Sequence, residues 1–279
     1  MAELTAGHLV EGSANGLAVR LFTPADYGGA RPVLLVHGFA SSSELNWVAT
    51  GWIAALNDGG RRVVAVDLPG HGQSPAPNEL DAYTPSRIRA DILQVLLDQH
   101  VRPLRDGDPG SGVDVLGYSL GARLAWEFGA TQPQLVHRLV LGGAAARDPL
   151  ADFDLVAAQR HLADGSPISD PTTAELLRMA RLVPDNDLFA LMSMVEAVKS
   201  EPFDPAHTVP PMPVLLVSGE RDDVAGSLGE LERLLRGRGT EVREHILPAR
   251  THANAITSLD FKREAIAFLA AEAEPGTGA

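Results

Sequence analysis

The chain of 279 residues contains no cysteine, which excludes disulfide bonds, thiolate nucleophiles and cysteine-ligated metal centres. It is also short of positive charge, with 23 Lys and Arg against 36 Asp and Glu, a net charge of -13. Non-specific nucleic-acid binding needs clustered basic residues that displace counterions, so we expect no nucleic-acid partner.

Long hydrophobic runs are absent as well. No stretch approaches the roughly 20 apolar residues of a membrane-spanning helix, and the first ten residues lack the basic segment and apolar run of a secretory signal. We therefore expect a cytoplasmic protein with no membrane partner and an undetermined oligomeric state. The 45% hydrophobic content allows a sizeable core, in one large α/β domain with or without an insertion, or in two small ones.

Short aliphatic runs alternate with amphipathic segments along most of the chain. Strands are predicted at residues 17–22, 33–36, 63–66, 113–116, 138–141, 214–217 and 242–247. Helices are predicted at residues 44–57, 84–99, 122–130, 228–236 and 259–271. Continuous apolar runs are typical of parallel strands covered on both faces. The pattern predicts an α/β fold with a mostly parallel sheet flanked by helices, and active-site loops at the carboxyl ends of its strands.

The alternation of strands and helices stops between residues 147 and 208. Helical segments are predicted there at 150–163, 172–182 and 188–199, without a buried strand. We interpret this segment as a helical lid over the catalytic edge of the sheet. The predicted domains are therefore a core of residues 1–146 and 209–279 and a cap of residues 147–208.

The segment Gly117-Tyr118-Ser119-Leu120-Gly121 follows a predicted strand and precedes a predicted helix. In that context the pattern G-x-S-x-G is typical of a nucleophile elbow, a sharp turn that lifts the serine hydroxyl above the sheet edge. The flanking glycines permit the strained turn and the close approach of strand and helix. Ser119 is therefore the candidate nucleophile.

A serine hydroxyl needs a base within hydrogen-bonding distance. His37, His71 and His252 follow predicted strands and could reach the elbow. His252 comes after the last strand, which fits the chain order nucleophile, acid, base of a serine elbow on this architecture. We interpret His37 and His71 as residues that fix the loops beside the substrate.

The base in turn needs a carboxylate that holds its tautomer and orientation. Three carboxylates follow the strand at 214–217, namely Glu220, Asp222 and Asp223. Their residue types and spacing do not separate the two aspartates.

The negative oxygen that forms during acyl transfer needs two backbone N–H donors. Leu120 directly follows the nucleophile at a helix N-terminus, where the dipole favours negative charge. The second donor is expected in the loop after His37-Gly38, at Phe39. Leu120 and Phe39 are the predicted oxyanion hole.

In combination, these motifs resemble the α/β-hydrolase family, in the branch with a helical cap after the sixth strand. The matching segments are His37-Gly38, Asp67-x-Pro69-Gly70-His71-Gly72-x-Ser74, Gly117 to Gly121, Gly219-x-x-Asp222 and His252. The resemblance spans residues 17 to 270 and implies that Asp222 is the catalytic acid. Two positions depart from the family pattern, because Thr251 stands where glycine usually precedes the histidine and Arg123 stands where a small residue is frequent.

The resemblance also implies a reaction class. Epoxide hydrolases and dehalogenases of this fold carry aspartate at the elbow, so Ser119 favours acyl transfer instead. The expected activity is that of a serine hydrolase, most simply a carboxylesterase, that acts through an acyl-enzyme on a small to medium acyl substrate. No metal or other cofactor is expected, because the sequence has no acidic and histidine cluster with ligand spacing and no glycine-rich dinucleotide loop.

Candidate substrate-binding residues are adjacent to the nucleophile or lie in the predicted lid. They are His37, Trp47 and Tyr118 in the core and Met179, Phe189 and Met192 in the lid, accompanied there by Leu182, Leu191 and Met194. The alternative for the lid residues and for Trp47 is that they pack helices together.

Two other functions remain compatible with the same residues. One is a ligand-binding, receptor-type protein on this scaffold with slow turnover. The other is a cofactor-free lyase, oxygenase or perhydrolase in which His252 acts as the base. Labelling of Ser119 by a fluorophosphonate distinguishes an acyl-transfer enzyme from the lyase and the oxygenase.

Overall fold

The computed structural model describes residues 16–183 and 186–271 in full and residues 8–10 as backbone. The strands are β1 (His8–Val10), β2 (Val19–Phe22), β3 (Val33–Val36), β4 (Val63–Val66), β5 (Val113–Tyr118), β6 (Val136–Gly142), β7 (Val214–Gly219) and β8 (Val242–Leu247). They form one eight-stranded sheet in the order β1-β2-β4-β3-β5-β6-β7-β8. The β1–β2 and β2–β4 pairs are antiparallel and the other pairs are parallel, which confirms the predicted fold class.

Helices cover both faces of this sheet. They are α1 (Trp52–Asp58), α2 (Pro85–Asp98), α3 (Leu120–Thr131), α4 (Leu155–Asp164), α5 (Pro171–Leu182), α6 (Leu188–Ser200), α7 (Leu228–Arg238), α8 (His252–Ala255) and α9 (Leu259–Ala270). In β3, Leu34 and Val36 pack with α2 and α3, whereas Val33 and Leu35 pack with α1 and α9. A strand that faces apolar layers on both sides must be apolar at every position, which explains its unbroken Val-Leu-Leu-Val sequence.

The predicted helix at 44–57 is in fact two helical pieces. Residues Glu44–Val48 form a π-helical turn, and α1 starts only at Trp52. Gly51 lies between them with φ of 81°, a left-handed conformation that interrupts a helix. The helix after the elbow begins at Leu120, inside the motif, rather than at residue 122.

Three helices, α4, α5 and α6, lie between β6 and β7, where the sequence predicts a helical insertion. Each begins at an aspartate whose carboxylate accepts a hydrogen bond from a backbone N–H of the first turn. The distances are 2.9 Å for Asp154, 2.6 Å for Asp170 and 2.9 Å for Asp187. Such caps satisfy N–H groups that have no partner inside the helix. The role of this insertion as a cap stays a prediction.

Helix α6 packs much more deeply than α4. Its seven buried residues belong to the same apolar cluster as Leu34 of β3 and the buried apolar residues of α2 and α3. At Gly70, an added Cβ would lie only 2.5 Å from the Cβ of Ala190, so this glycine allows α6 to pack against the loop after β4. In α4, by contrast, only Ala158 is buried.

Arg123, in the first turns of α3, contacts the two segments that join the insertion to the sheet. Its guanidinium forms a buried ion pair with Asp148, on the segment that enters the insertion, and donates to the carbonyl of Glu201, on the segment that leaves it. It also lies 5.4 Å from the ring centroid of Phe203. These contacts explain why an arginine stands at a position where the family pattern frequently has a small residue.

The carboxyl ends of β3 and β5 lie side by side, because Val36 pairs with Gly117 in the parallel register. From β3 the chain passes to β4 on one side, and it then crosses over β3 to form β5 on the other. Crevices of this kind, where the strand order reverses, are the usual ligand sites of open α/β sheets. None of the helices in the described ranges is long and apolar enough to cross a membrane. The cytoplasmic location stays a prediction, and residues 1–7 of the segment searched for a signal lie outside the described residues.

Candidate active site

Ser119 occupies the sharp turn between β5 and α3. Its backbone has φ of 55° and ψ of -117°, a conformation that costs a non-glycine residue energy and that clusters at functional sites. An added Cβ at Gly117 would lie 2.2 Å from the carbonyl oxygen of Gly121, and one at Gly121 would lie 2.1 Å from that of Val36. The glycines of the motif are therefore required by close packing of backbone against backbone.

The structure brings Ser119, His252 and Asp222 into one hydrogen-bonded chain. The Nε2 atom of His252 lies 2.9 Å from Ser119 Oγ. Its Nδ1 atom lies 3.0 Å from each carboxylate oxygen of Asp222. A carboxylate at Nδ1 keeps the proton on that nitrogen and leaves Nε2 as the acceptor for the serine proton. This arrangement can activate the Ser119 hydroxyl.

Asp222, rather than Asp223 or Glu220, is the carboxylate beside the imidazole. Its side chain is fully buried, and Oδ1 also accepts the N–H of Ala225 at 3.0 Å. Asp223 is exposed and faces the cavity, and Glu220 accepts the N–H of Ala249 at 2.8 Å. The geometry thus agrees with the acid that the resemblance implies.

Thr251 stands where the family usually has glycine, and the structure explains why a side chain fits. Its φ of -99° is an ordinary extended value, so no glycine is needed. Thr251 caps the short helix α8, and the Asn254 side chain accepts the Thr251 N–H at 2.9 Å. This capping box holds His252 at the start of α8.

The predicted oxyanion donors, Phe39 and Leu120, both line the cavity beside Ser119. Within the described ranges neither N–H has a hydrogen-bond acceptor, so both are available to a ligand oxygen. An added Cβ at Gly38 would lie 3.2 Å from Ser119 Cβ, which shows how closely this loop approaches the nucleophile.

The peptide group between Gly38 and Phe39 is fixed through its carbonyl. The oxygen of Gly38 accepts the Nδ1–H of His37 at 2.8 Å and the N–H of Ser41 at 3.3 Å. The N–H of Gly38 donates to Asn46 Oδ1 at 2.9 Å. Because the carbonyl and the N–H of one peptide group point in opposite directions, holding the Gly38 carbonyl fixes the direction of the Phe39 N–H.

Two neutral imidazoles support this loop. His37 Nε2 accepts the N–H of Leu68 at 2.9 Å, and burial lowers the pKa of His37, although Asp67 and the Gly38 carbonyl oppose that shift. His71 Nε2 accepts the N–H of Ala40 at 3.1 Å, and burial together with His37 lowers the pKa of His71 to about 3. Both rings therefore act as uncharged acceptors near neutral pH.

Tyr118 lies under the imidazole of His252. Their ring centroids are 5.5 Å apart, and the phenol donates a hydrogen bond to the His252 carbonyl. Burial, and to a smaller degree the charge of Asp222, raise the pKa of Tyr118, so the phenol keeps its proton. Tyr118 thus lines the cavity, as predicted for a substrate-site residue, and also supports the base.

A cavity of about 550 Å³ opens above Ser119. The insertion contributes one face of α5 to its wall, from Thr172 through Leu176 to Met179, and single residues from the connecting segments such as Leu150 and Phe203. The predicted position of Met179 at the cavity agrees with this geometry.

Four other substrate-site predictions need correction. Trp47 is fully buried and packs edge-to-face against Trp52, 6.0 Å between ring centroids, away from the cavity lining. Phe189 is 82% exposed on α6, and Met192 is buried in the core cluster that α6 shares with the sheet. His37 is buried behind the loop and does not reach the cavity surface. Leu182, Leu191 and Met194 of the wider lid set do not line it either.

Several cavity residues were missed from the sequence. Asn46 lines the wall and holds Gly38, yet it lies in an unremarkable polar stretch. Arg123 and Asp148 also line it, and only the unusual position of Arg123 hinted at a role. The spacing of Thr172, Leu176 and Met179 on one face of α5 is a helical period that would have indicated a common environment.

Comparison with known proteins agrees with this architecture. A profile of the family described as alpha/beta hydrolase fold matches residues 31–168. Epoxide hydrolase 3 of Mus musculus is 28% identical over 134 residues, 48% of this chain and 33% of that protein. A putative 2-succinyl-6-hydroxy-2,4-cyclohexadiene-1-carboxylate synthase of Bacillus subtilis is 30% identical over 122 residues, 43% of this chain and 39% of that protein. The matched part spans well under half the length of these curated relatives.

Among solved structures, one from a study of carboxylesterases of the thaumarchaeon Nitrososphaera gargenis superposes with a TM-score of 0.70 at 15% identity, covering 94% of this chain and 98% of that one. Identity at this level shows the fold alone. Taken with the sheet order and the matched profile, it shows that the chain has the α/β-hydrolase fold.

Proposed function

We propose that the protein is a serine hydrolase that cleaves a small to medium acyl substrate, most simply a carboxylic ester. The observation that carries this proposal is the hydrogen-bonded chain from Ser119 Oγ through His252 to Asp222, at the floor of a cavity. A base and an orienting carboxylate in this geometry are what an unactivated serine hydroxyl requires.

The proposed reaction has two halves. Ser119 Oγ attacks the carbonyl carbon while His252 Nε2 takes its proton, and the tetrahedral intermediate collapses when His252 returns that proton to the departing alcohol. The resulting ester on Ser119 is then attacked by water, which gives its proton to His252. The acid leaves and the proton returns to Ser119 Oγ. Asp222 accepts the Nδ1–H of His252 throughout and stabilises the imidazolium.

Phe39 and Leu120 supply the proposed oxyanion hole. Their N–H groups lack acceptors within the described residues, and both residues line the cavity beside the nucleophile. Each preorganised donor of this kind contributes about 10²- to 10³-fold to kcat.

The similarity to an epoxide hydrolase concerns less than half of the chain. Epoxide hydrolases of this fold open the ring with an aspartate at the elbow, and the residue here is Ser119, which lacks the carboxylate. We therefore favour acyl transfer over epoxide opening. The apolar wall from α5, above all Leu176 and Met179, suits an acyl chain, and we propose that the insertion acts as the cap over it.

Labelling and hydrolysis together test the proposal. A fluorophosphonate probe should modify the wild type at Ser119, and 4-nitrophenyl esters of increasing chain length should be hydrolysed with a preference for short to medium chains. Ser119→Ala should abolish labelling and lower kcat by about 10⁵- to 10⁶-fold. The control is Ser193→Ala, since Ser193 lies on α6 and, among the residues that the structure describes, its hydroxyl bonds to the carbonyl of Phe189, at 3.2 Å. Full ester hydrolysis by Ser119→Ala would contradict the proposal.

A lyase is the second candidate, favoured by the similarity to the Bacillus subtilis synthase. In that case His252 would remove a proton from carbon, and no acyl-enzyme would form. Absence of labelling at Ser119, together with an ester panel that is not turned over, would favour it.

A further inference from the structure

A side chain of the insertion reaches the loop that carries a proposed oxyanion donor. The Nδ2 atom of Asn186, on the segment between α5 and α6, lies 3.1 Å from the carbonyl oxygen of Ala40 and 3.0 Å from that of Ala180. Ala180 is the buried last-turn residue of α5. Ala40 directly follows Phe39, so one amide group bridges the cap helix and the oxyanion loop.

Ala40 has a backbone conformation that is unfavourable for alanine. Its φ is 56°, in the left-handed region that disfavours every residue with a Cβ. The surrounding structure holds it from two sides, because its N–H donates to His71 Nε2 at 3.1 Å and its carbonyl accepts from Asn186. The first contact comes from the core and the second from the insertion.

If the Asn186 contact were lost, Ala40 could relax toward a negative φ. That rotation would turn the preceding peptide groups, including the Gly38–Phe39 unit that carries the proposed oxyanion donor. The Ser41 N–H to Gly38 carbonyl bond closes the turn around Ala40 and His37 holds the same carbonyl, so these contacts limit the change without preventing it.

We propose that Asn186 is a positioning residue, which aligns the Phe39 N–H for catalysis only when the insertion is seated on the core. The inference rests on the proposed serine-hydrolase function. A purely local role, closing the end of α5, would need only the bond to Ala180. The same amide group, however, also donates to the carbonyl of Ala40, which is 146 residues away in the sequence.

The kinetic test uses 4-nitrophenyl butyrate and two variants of Asn186. Asn186→Ala removes both bonds, and Asn186→Asp keeps the shape but presents a carboxylate to two carbonyl oxygens. Each should lower kcat by about tenfold, less than complete loss of a donor, with KM changed by less than about twofold. The matched control is Asp154→Ala, which removes the cap of α4 without touching Ala40. An equal loss of kcat in that control would overturn the inference.

Ala40→Gly supplies a second, independent readout. Glycine adopts a positive φ without the penalty of a Cβ, so the loop should depend less on Asn186 in that background. The loss caused by Asn186→Ala should then shrink from about tenfold to about threefold, a coupling that a double-mutant cycle measures. Identical losses in both backgrounds would show that Asn186 acts elsewhere.

Amide hydrogen exchange measured by NMR separates this inference from the proposed function. The Ala40 N–H should exchange at least about tenfold faster in Asn186→Ala than in the wild type, since its bond to His71 is weakened when the loop relaxes. If the wild type neither hydrolyses esters nor reacts with the fluorophosphonate, the hydrolase proposal fails. Faster exchange in Asn186→Ala would still show that Asn186 positions the loop at Ala40. Unchanged exchange at Ala40 would refute the positioning role of Asn186, whether or not the protein hydrolyses esters.

Discussion

Replacing His71 with glutamine should make the stability of the protein less sensitive to acid. The imidazole is fully buried, and its Nε2 atom accepts the N–H of Ala40 while Nδ1 lies 2.9 Å from the Pro69 carbonyl. Protonation would place a second N–H against the Ala40 N–H. Glutamine can still offer an oxygen to Ala40, but it does not titrate.

The magnitude follows from the pKa of His71, which folding lowers from 6.5 to about 3. Below pH 6.5 the unfolded chain binds a proton that the folded chain does not, so the free energy of unfolding falls as pH falls. The loss is about 1.36 kcal/mol per pH unit, or ~2 kcal/mol at about pH 5, and it approaches about 5 kcal/mol below about pH 3. The contribution is complete above pH 6.5 and is lost toward pH 3.

Urea unfolding of the wild type and of His71→Gln at about pH 7, 6 and 5 measures this difference. At neutral pH the variant should be less stable by about 1–3 kcal/mol, because the donor to Pro69 is altered. By about pH 5 the wild type should have lost ~2 kcal/mol more than the variant. His37 and the carboxylates titrate in both proteins and cancel in the comparison. Parallel pH dependence in the two proteins would refute a neutral, buried His71.

Four further substitutions address the candidate site. Asp222→Asn should lower kcat by about 10³- to 10⁴-fold, with the fold retained by circular dichroism, whereas Asp223→Asn should change kcat by less than about threefold. The reverse ranking would assign the role of catalytic acid to Asp223. Tyr118→Phe removes the hydrogen bond to the His252 carbonyl and should lower kcat about fivefold in steady-state ester hydrolysis, and an unchanged kcat would show that the phenol is dispensable. Met179→Trp fills part of the cavity and should shift the preferred ester toward shorter acyl chains, with no shift expected if the chain binds elsewhere.

The sheet and the positions of Ser119 and His252 could be anticipated because they depend on local sequence. Strands buried on both faces are continuously aliphatic and stop at glycine or polar residues, so their carboxyl ends are visible in the sequence. A serine between two glycines at one such end and a histidine after the last strand then share one edge of the sheet. No long-range packing detail is needed for this step.

The separation of Asp222 from Asp223 depends on a turn that composition does not encode. Asp222 donates its N–H to the Gly219 carbonyl at 3.1 Å, and the Arg221 N–H bonds to the carbonyl of Arg250 at 2.8 Å. The first bond closes a turn after β7 and the second joins that turn to the loop after β8, so that Asp222 is buried beside His252 while Asp223 is exposed at the cavity. Adjacent acidic residues in a turn are otherwise equivalent.

The pocket was predicted least well, because both α5 and α6 are rich in apolar residues. Met179 faces the cavity, whereas Met192 faces the core and Phe189 faces solvent. Which helix contributes to the cavity depends on how the connecting segments attach to α3, through Arg123 and its contacts to Asp148 and Glu201. Contacts so distant in sequence leave no periodic signal.

The burial of α6 has a consequence for how this protein can change over evolutionary time. A substitution in α6 disturbs the same close-packed interior as a substitution in the sheet, so this helix is constrained as strictly as a strand. Helix α4 is largely exposed and α5 presents one face to the cavity, so the residues on those faces, unlike the buried Leu177 and Ala180, can vary at little cost in stability. New specificities, natural or engineered, should therefore accumulate at the exposed and cavity-facing positions of residues 155–182, while α6 changes little.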